Sequence, residues 1–459
     1  MAWTRHDVYV TRRLSQEVQK PVREVQQQQP AEAVRWPWLL SDRGILSAVA
    51  TVTVIGVAAM VSMLVIAAGA AAAARAGLRI EAIKYGLGFF AAAGAAAALL
   101  LGVRRQRLSE RSHELELRKQ RHTETDALER RVNELYTKAV EQLGSADAAV
   151  RLGGLYALER VAQHNPDQRQ TVVNVICAYL RMPYSLPGAG APADAVGGRD
   201  PRQELEVRLT AQKVVSSHLL PADATGEAQT FWPGMDLNLA GALLIDWRFA
   251  GRLVRNAQFK GATFSGDAGF EATTFSGNAG FESALFAGGA RFDGTDFQRG
   301  AEFGRTEFGG FASLREATFA VRAEFGEAVF TGEVWFEDAR FAGPAQFGDA
   351  VFRGDAWFDG ATFSAGVSFG GASFGGEARF DTATLAAAAR FDGATFDGEA
   401  RFEKTTFVGD AQFNNVTFAR PPALEEAVVA WRDARGDVWP PGWRLVRNGD
   451  AGRLTRASR

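Results

Sequence analysis

The stretch FKGATFSGDAGFEATTF (259–275) sets the fold. Phenylalanine stands at 259, 264, 270 and 275, and continues at 281, 286, 292 and 297 up to 407, 413 and 418. The step alternates five and six, so the true period is eleven residues. The beat covers thirty positions, of which 28 are Phe and the other two are Leu314 and Leu385. The residue two before each beat is small: Ala262, Ala268, Ala279 and Ala301, otherwise Thr273, Thr295, Val334 or Val367. Residues two apart in an extended chain point the same way. A large and a small apolar side chain therefore face one interior, while the Gly, Asp, Ser and Glu between them suit turns and a wet exterior. Such a short, fixed period marks a solenoid whose units bury their apolar faces only against their neighbours.

With these residues in view, the chain resembles the pentapeptide-repeat proteins. Their unit is a small residue, a polar residue, Leu or Phe, a polar residue and often Gly. Units such as Ala-Thr-Phe-Ser-Gly (262–266) and Ala-Arg-Phe-Asp-Gly (290–294) carry the likeness. Upstream the spacing is a strict five, at Leu239, Leu244, Phe249, Val254, Phe259 and Phe264. The five-plus-six pattern resembles an eleven-residue variant common in actinobacterial members. The resemblance implies a right-handed quadrilateral parallel β-helix with four beats, about 22 residues, to a coil. Phe259, Phe281, Phe303, Phe325, Phe347, Phe369, Phe391 and Phe413 are then expected to stack in one ladder. Phe264, Phe270, Phe275 and Phe286 belong to the same core. The extra sixth residue is expected at a corner, as a small bulge. Each buried Phe contributes roughly 1.5–3 kcal/mol, so a structural core accounts for these residues better than an aromatic ligand site.

Two apolar runs precede the repeats. No charged residue occurs from Gly44 to Ala74, and 45–67 is long enough for a membrane span, which needs about 20 apolar residues. A second, Ala-rich run covers 85–103. Two transmembrane helices within 44–103, joined by a loop at 75–84, follow from this. Residues 1–43 are polar and read as a disordered tail, with Trp36 and Trp38 placed to anchor at the interface. Arg104, Arg105, Arg107 and Arg111 outweigh Arg75, Arg79 and Lys84 in the loop. That bias puts the N-terminus and the repeats on the cytoplasmic side of a cell membrane.

The segment 104–184 reads as a charged helical stalk and an adaptor module. An apolar stripe, Leu128, Val132, Leu135, Ala139 and Leu143, emerges at helical spacing. Coiled-coil self-association through the stalk is one reading of it, and packing on the following helices is the other. Ser145 is placed to cap the next helix, and a second runs from Gln168 to Leu180. Residues 136–161 and 176–184 resemble the helical module preceding the repeats in membrane-associated actinobacterial pentapeptide proteins, so the likeness extends over about 128–420. A Pro/Gly/Ala linker (185–200) and a helical cap (201–234, its helix near 202–219) lead to the repeats at 235–420. The segment 421–459 is a far cap with Trp431, Trp439 and Trp443, ending in a basic tail expected to be disordered from 444.

The chemistry of catalysis is not visible. The single Cys177 excludes an internal disulfide and a Cys-based zinc site, and the five His are scattered without ligand spacing. Gly-x-Ser-x-Gly occurs at 366–370 and 371–375, but as Gly and Ser flanking Phe369 and Phe374 rather than in the strand–turn–helix that a hydrolase elbow needs. No cofactor, metal site or catalytic residue is expected. The net charge is −2, so there is no polycation to bind nucleic acid. Residues 235–420 hold 25 acidic and 16 basic residues, a net of −9 (16 − 25). Some relatives protect gyrase by imitating DNA with an acidic rod, which makes a DNA mimic one alternative function. A regulator or enzyme working through 128–182 is another. The reading that fits best is a non-enzymatic, membrane-anchored scaffold whose β-helix binds a protein partner that the sequence does not identify.

Overall fold

The computed structural model describes residues 42–69, 71–187, 200–221, 230–432, 435–449 and 451–456. The N-terminal tail through residue 41 and most of the linker 185–200 lie outside the described residues. The chain divides into two compact units, Met1–Ala127 and Leu128–Arg459.

The first unit holds α1 (Asp42–Gly69) and the start of α2 (Ala72–Leu143), whose residues from Leu128 belong to the second unit. Two stretches, Leu46–Gly69 and Ala73–Val103, are long and apolar enough to cross a membrane. The helices approach at glycines. A Cβ on Gly56 would lie 3.1 Å from the Phe89 ring, and one on Gly86 would lie 2.9 Å from Met60 Sδ. The hydroxyls of Ser47, Thr51 and Thr53 donate to backbone carbonyls three or four residues earlier, so these polar groups are satisfied within the helix. The expected loop at 75–84 is helical instead. Its Arg, Leu, Glu, Ala and Lys residues favour helix, and no Pro stops it.

In the second unit, α3 (Ala148–His164), α4 (Arg169–Leu180) and α5 (Pro201–Ser217) precede the repeats. The N-cap of α3 is Asp147, whose carboxylate accepts the Ala149 N–H at 2.8 Å, and not Ser145. Ser145 accepts instead from the Asp147 N–H at 3.2 Å. A buried ionic cluster ties the three helices together. Glu204 on α5 pairs with Arg151 on α3 at 3.1 Å and with Arg208 one turn on at 3.0 Å. It also accepts the Tyr179 hydroxyl of α4 at 2.7 Å. Arg208 donates onward to the Leu180 and Met182 carbonyls, and so satisfies the C-terminal end of α4. Burial, with Glu204 close by, pushes the Tyr179 phenol well above its usual range.

From Leu237 the chain winds into a parallel β-solenoid of two- and three-residue strands. Four parallel sheets wall it, two of them nine strands deep. They are called faces 1 to 4 here, after the strands beginning at Ala257, Thr263, Ala268 and Thr274. The register shift between neighbouring coils is 22 residues, as in Ala290↔Ala312 and Phe297↔Phe319. In the strict-five region it is 20, as in Leu237↔Ala257. The two step lengths build two kinds of corner. Each five-residue corner is a β-turn closed by a bond such as Ala262 N–H to the Phe259 carbonyl (2.9 Å), with positive φ two residues after the beat. Gly261 fits this position, but Ala272, Ser283, Arg305 and Thr382 also adopt it. The six-residue corners, such as Ser265–Asp267, are bends that take up the extra residue.

Side chains complete the corners and the core. Asp267, Asp293, Asp355 and Asp381 each accept a backbone N–H one coil further on, at 2.8–3.0 Å. The buried Thr273, Thr295, Thr306 and Thr405 take the small-residue position because each hydroxyl donates to a carbonyl of the preceding coil.

Both ends are covered. Gln170 of α4 and Gln212 of α5 bond to backbone of the first coil at Asp236 and Ile245. The cap is therefore α4 and α5 together, not the 202–219 helix alone. His218 stacks on Trp232 at 3.9 Å and bonds Glu159 of α3 at 2.8 Å. At the far end Trp439 packs edge-on against Phe407 at 5.2 Å. The basic tail expected to be disordered forms an antiparallel hairpin, Trp443–Asn448 with Ala451–Arg456, which joins face 4 through Val428–Ala430. Asn448 pairs with Ala451 across the turn, and Gly449 opens the turn at φ 63°, a left-handed conformation that suits glycine.

Candidate interaction surface

The ladder residues all point inward. Phe259, Phe281, Phe303, Phe325, Phe347, Phe369, Phe391 and Phe413 form one continuous stack with centroid spacings of 4.7–5.2 Å. Phe264 and Phe286 stack below face 2 at 4.4 Å. Phe270 and Phe275 begin the stacks of faces 3 and 4. Neighbouring stacks meet edge to face, as in Phe270–Phe281 at 5.5 Å and 88°. Every one of these residues is buried, so none is available to a ligand.

The surface is written by the residue before each beat, which points outward. Face 4 presents mostly Thr: Thr274, Thr318, Thr362, Thr384 and Thr406. Face 2 presents Leu285, Val329 and Val351 among Thr, Ser and Glu. Face 1 carries Glu302 and Glu324 in register. Burial, together with Glu282 and Glu324, pushes the Glu302 carboxyl up.

Face 3 differs. Its outward row reads Arg291, Ser313, Trp335, Trp357, Arg379, Arg401, each paired in register with the next. The indoles of Trp335 and Trp357 lie 5.6 Å apart. Phe311, the only Phe off the beat between 259 and 418, extends the row to Trp335 at 5.6 Å. Arginine covers the rings: Arg315 lies 4.6 Å from Trp335, Arg379 6.0 Å from Trp357, and Arg291 5.0 Å from Phe311. Carboxylates hold the arginines in place, with Asp359 3.1 Å from Arg379 and Asp381 2.9 Å from Arg401. Burial pushes the Asp359 carboxyl up, and Asp381 adds to this against the pull of Arg379.

Trp and Arg are the side chains most often found to dominate binding energy at protein interfaces. The row sits on consecutive strands of a rigid sheet, so its geometry is set before a partner arrives. Ser368 and Ser373 of the Gly-x-Ser-x-Gly sequences occupy outward positions on faces 1 and 2, and no histidine occurs anywhere in the repeats. Among the described residues no group of three His, Cys, Asp or Glu is arranged to hold a metal. Sequence reasoning did not single out Phe311, Trp335 or Trp357. The 22-residue spacing of the two Trp, one coil of the solenoid, was the available signal.

Five overlapping segments of the chain, 252–296, 292–340, 303–350, 336–384 and 380–427, match the family model described as Pentapeptide repeats (9 copies). No curated protein and no solved structure matches the chain. The matched span covers the solenoid from its first full coils to its far cap, and residues 252–427 of the chain are pentapeptide repeats.

Proposed function

We propose that the chain is a non-enzymatic, membrane-anchored scaffold and that face 3 of its pentapeptide-repeat solenoid holds a partner protein. The observation that carries this reading is the aromatic–arginine row of Phe311, Trp335, Trp357 and Arg379 on a face whose backbone is fixed by its neighbours above and below. The two apolar helices supply the anchor. The basic cluster Arg104, Arg105, Arg107 and Arg111 after the second span favours a cytoplasmic position for both the N-terminus and the solenoid.

Proximity labelling in native membranes, with the labelling enzyme fused after Arg459, tests the scaffold. The expected result is a neighbour enriched by the full chain and lost when residues 235–420 are deleted. Extraction of the chain from membranes by alkaline carbonate would overturn the anchor. Labelling confined to proteins outside the cytoplasm would overturn the orientation.

A further inference from the structure

The helical module carries an open groove of its own. Helix α2 ends at Leu143 and α3 begins at Ala148, so the two helices run antiparallel. They touch at Gly154, where a Cβ would lie 2.8 Å from both the Ala139 carbonyl oxygen and the Leu143 backbone nitrogen. Away from that contact they leave a groove of about 570 Å³, lined by Arg131, Leu135, Tyr156, Arg160, Val161 and His164 among others.

Three features give this groove a sign and a shape. Two of its apolar groups are open to solvent: Leu135 is 52% exposed and Tyr156 57%. Its rim is basic, and no carboxylate lines it. Arg131 and Arg160 form no ion pair among the described residues, whereas Arg151 and Arg208 of the same module are both ion-paired to Glu204. The His164 Nδ1–H donates to the Arg160 carbonyl at 2.8 Å, which leaves Nε2 facing outward from the backbone. A slot between two antiparallel helices, apolar along its floor and cationic at its edges, matches the apolar stripe and acidic flanks of a third helix.

We propose that this groove receives an acidic amphipathic helix of a partner protein. The site is separate from face 3, and its test makes no use of the solenoid surface, so either proposal can fail alone. Charge complementarity favours this occupant over a second copy of the chain, because the exposed stretch 128–143 that a copy would bring carries basic residues (Arg130, Arg131, Lys138) among its acids.

The experiment uses the full chain in neutral detergent and a fluorescent synthetic helix of about five turns, with Leu on one face and Glu on both flanks. Fluorescence anisotropy is expected to show saturable binding, weakened about tenfold or more by the double substitution Arg131→Glu and Arg160→Glu. A Lys-flanked helix of the same apolar face should not bind. Both arginines are exposed, so the variant should keep its helical circular dichroism, and Leu135→Ser, which removes the apolar side chain without adding charge, gives a second, charge-independent check. Absence of binding, equal binding by the variant, or binding of the Lys-flanked helix would overturn the proposal. So would self-association of the chain in sedimentation that the same substitutions abolish, which would make a second copy the occupant.

Discussion

The side-chain amide of Gln212 bonds both backbone groups of Ile245, donating to its carbonyl at 2.8 Å and accepting its N–H at 2.9 Å. A neighbouring strand would make the same pair of bonds. Gln170 repeats the device at Asp236, with both bonds at 2.9 Å. An open solenoid end is an unpaired edge, a template for aggregation. Here two glutamines on two helices take the place of the missing coil. Substituting Gln212 by Ala orphans a buried donor and a buried acceptor, at a cost of about 1–3 kcal/mol for each group left unsatisfied. Hydrogen exchange followed by mass spectrometry should show the amide of Ile245 losing at least tenfold of its protection in the variant, while Ala345 in mid-solenoid is unchanged.

The Arg151–Glu204–Arg208 cluster makes an unequal prediction for its members. Replacing Glu204 by Ala leaves two buried guanidinium groups without a counter-charge, which costs about 3–5 kcal/mol. Replacing exposed Arg202 by Ala on the same helix should cost less than about 0.5 kcal/mol. Thermal melting of the 128–217 helical signal would compare them, and equal effects would show that the cluster does not hold the module together.

Backbone strain is distributed along the five-residue corners. Thr382 is β-branched and sits at φ 59°, whereas Gly393 holds the equivalent position one corner on at φ 71°. Left-handed backbone costs an L-residue roughly 1–2 kcal/mol. Thr382→Gly should therefore stabilise the solenoid by about 0.5–1 kcal/mol and Gly393→Ala should destabilise it by about 1 kcal/mol. Denaturant midpoints that move the same way for both would contradict the assignment of these corners.

The single cysteine reports on the module from within. Burial pushes the Cys177 thiol from 9.0 up to about 11, against the opposing pull of the Asn238 backbone contact and Arg181. A raised acid pKa means that the unfolded chain loses its proton first. The stability tied to this group is thus intact below pH 9.0 and falls as pH rises from there towards about 11. At pH 8 iodoacetamide should leave Cys177 unmodified in the native chain and alkylate it within minutes in urea.

Much of the solenoid was legible because its period is its geometry. A repeat every eleven residues, with Phe259 and Phe281 two repeats and four beats apart, gives the 22-residue coil directly. What escaped was carried by single residues. Gln170 and Gln212 look like ordinary polar positions on amphipathic helices, and only the neighbouring backbone reveals their role. The basic composition of 444–456 hid a hairpin whose turn glycine, Gly449, was in plain view. The first helix ends at Gly69, a residue that favours helix ends, but the Ala run on either side of it hid the boundary. Trp335 and Trp357 were hidden by the Phe beat, since the eye follows the buried row and not the outward one.

The central claim is that face 3 is the contact surface. A photo-crosslinking amino acid placed at Trp335 tests it most directly when compared with one at Thr362, an outward position on face 4. Irradiation of native membranes is expected to give one discrete adduct from position 335 and none from 362. Adducts of equal yield from both positions, or an adduct from 362 alone, would contradict the assignment of face 3.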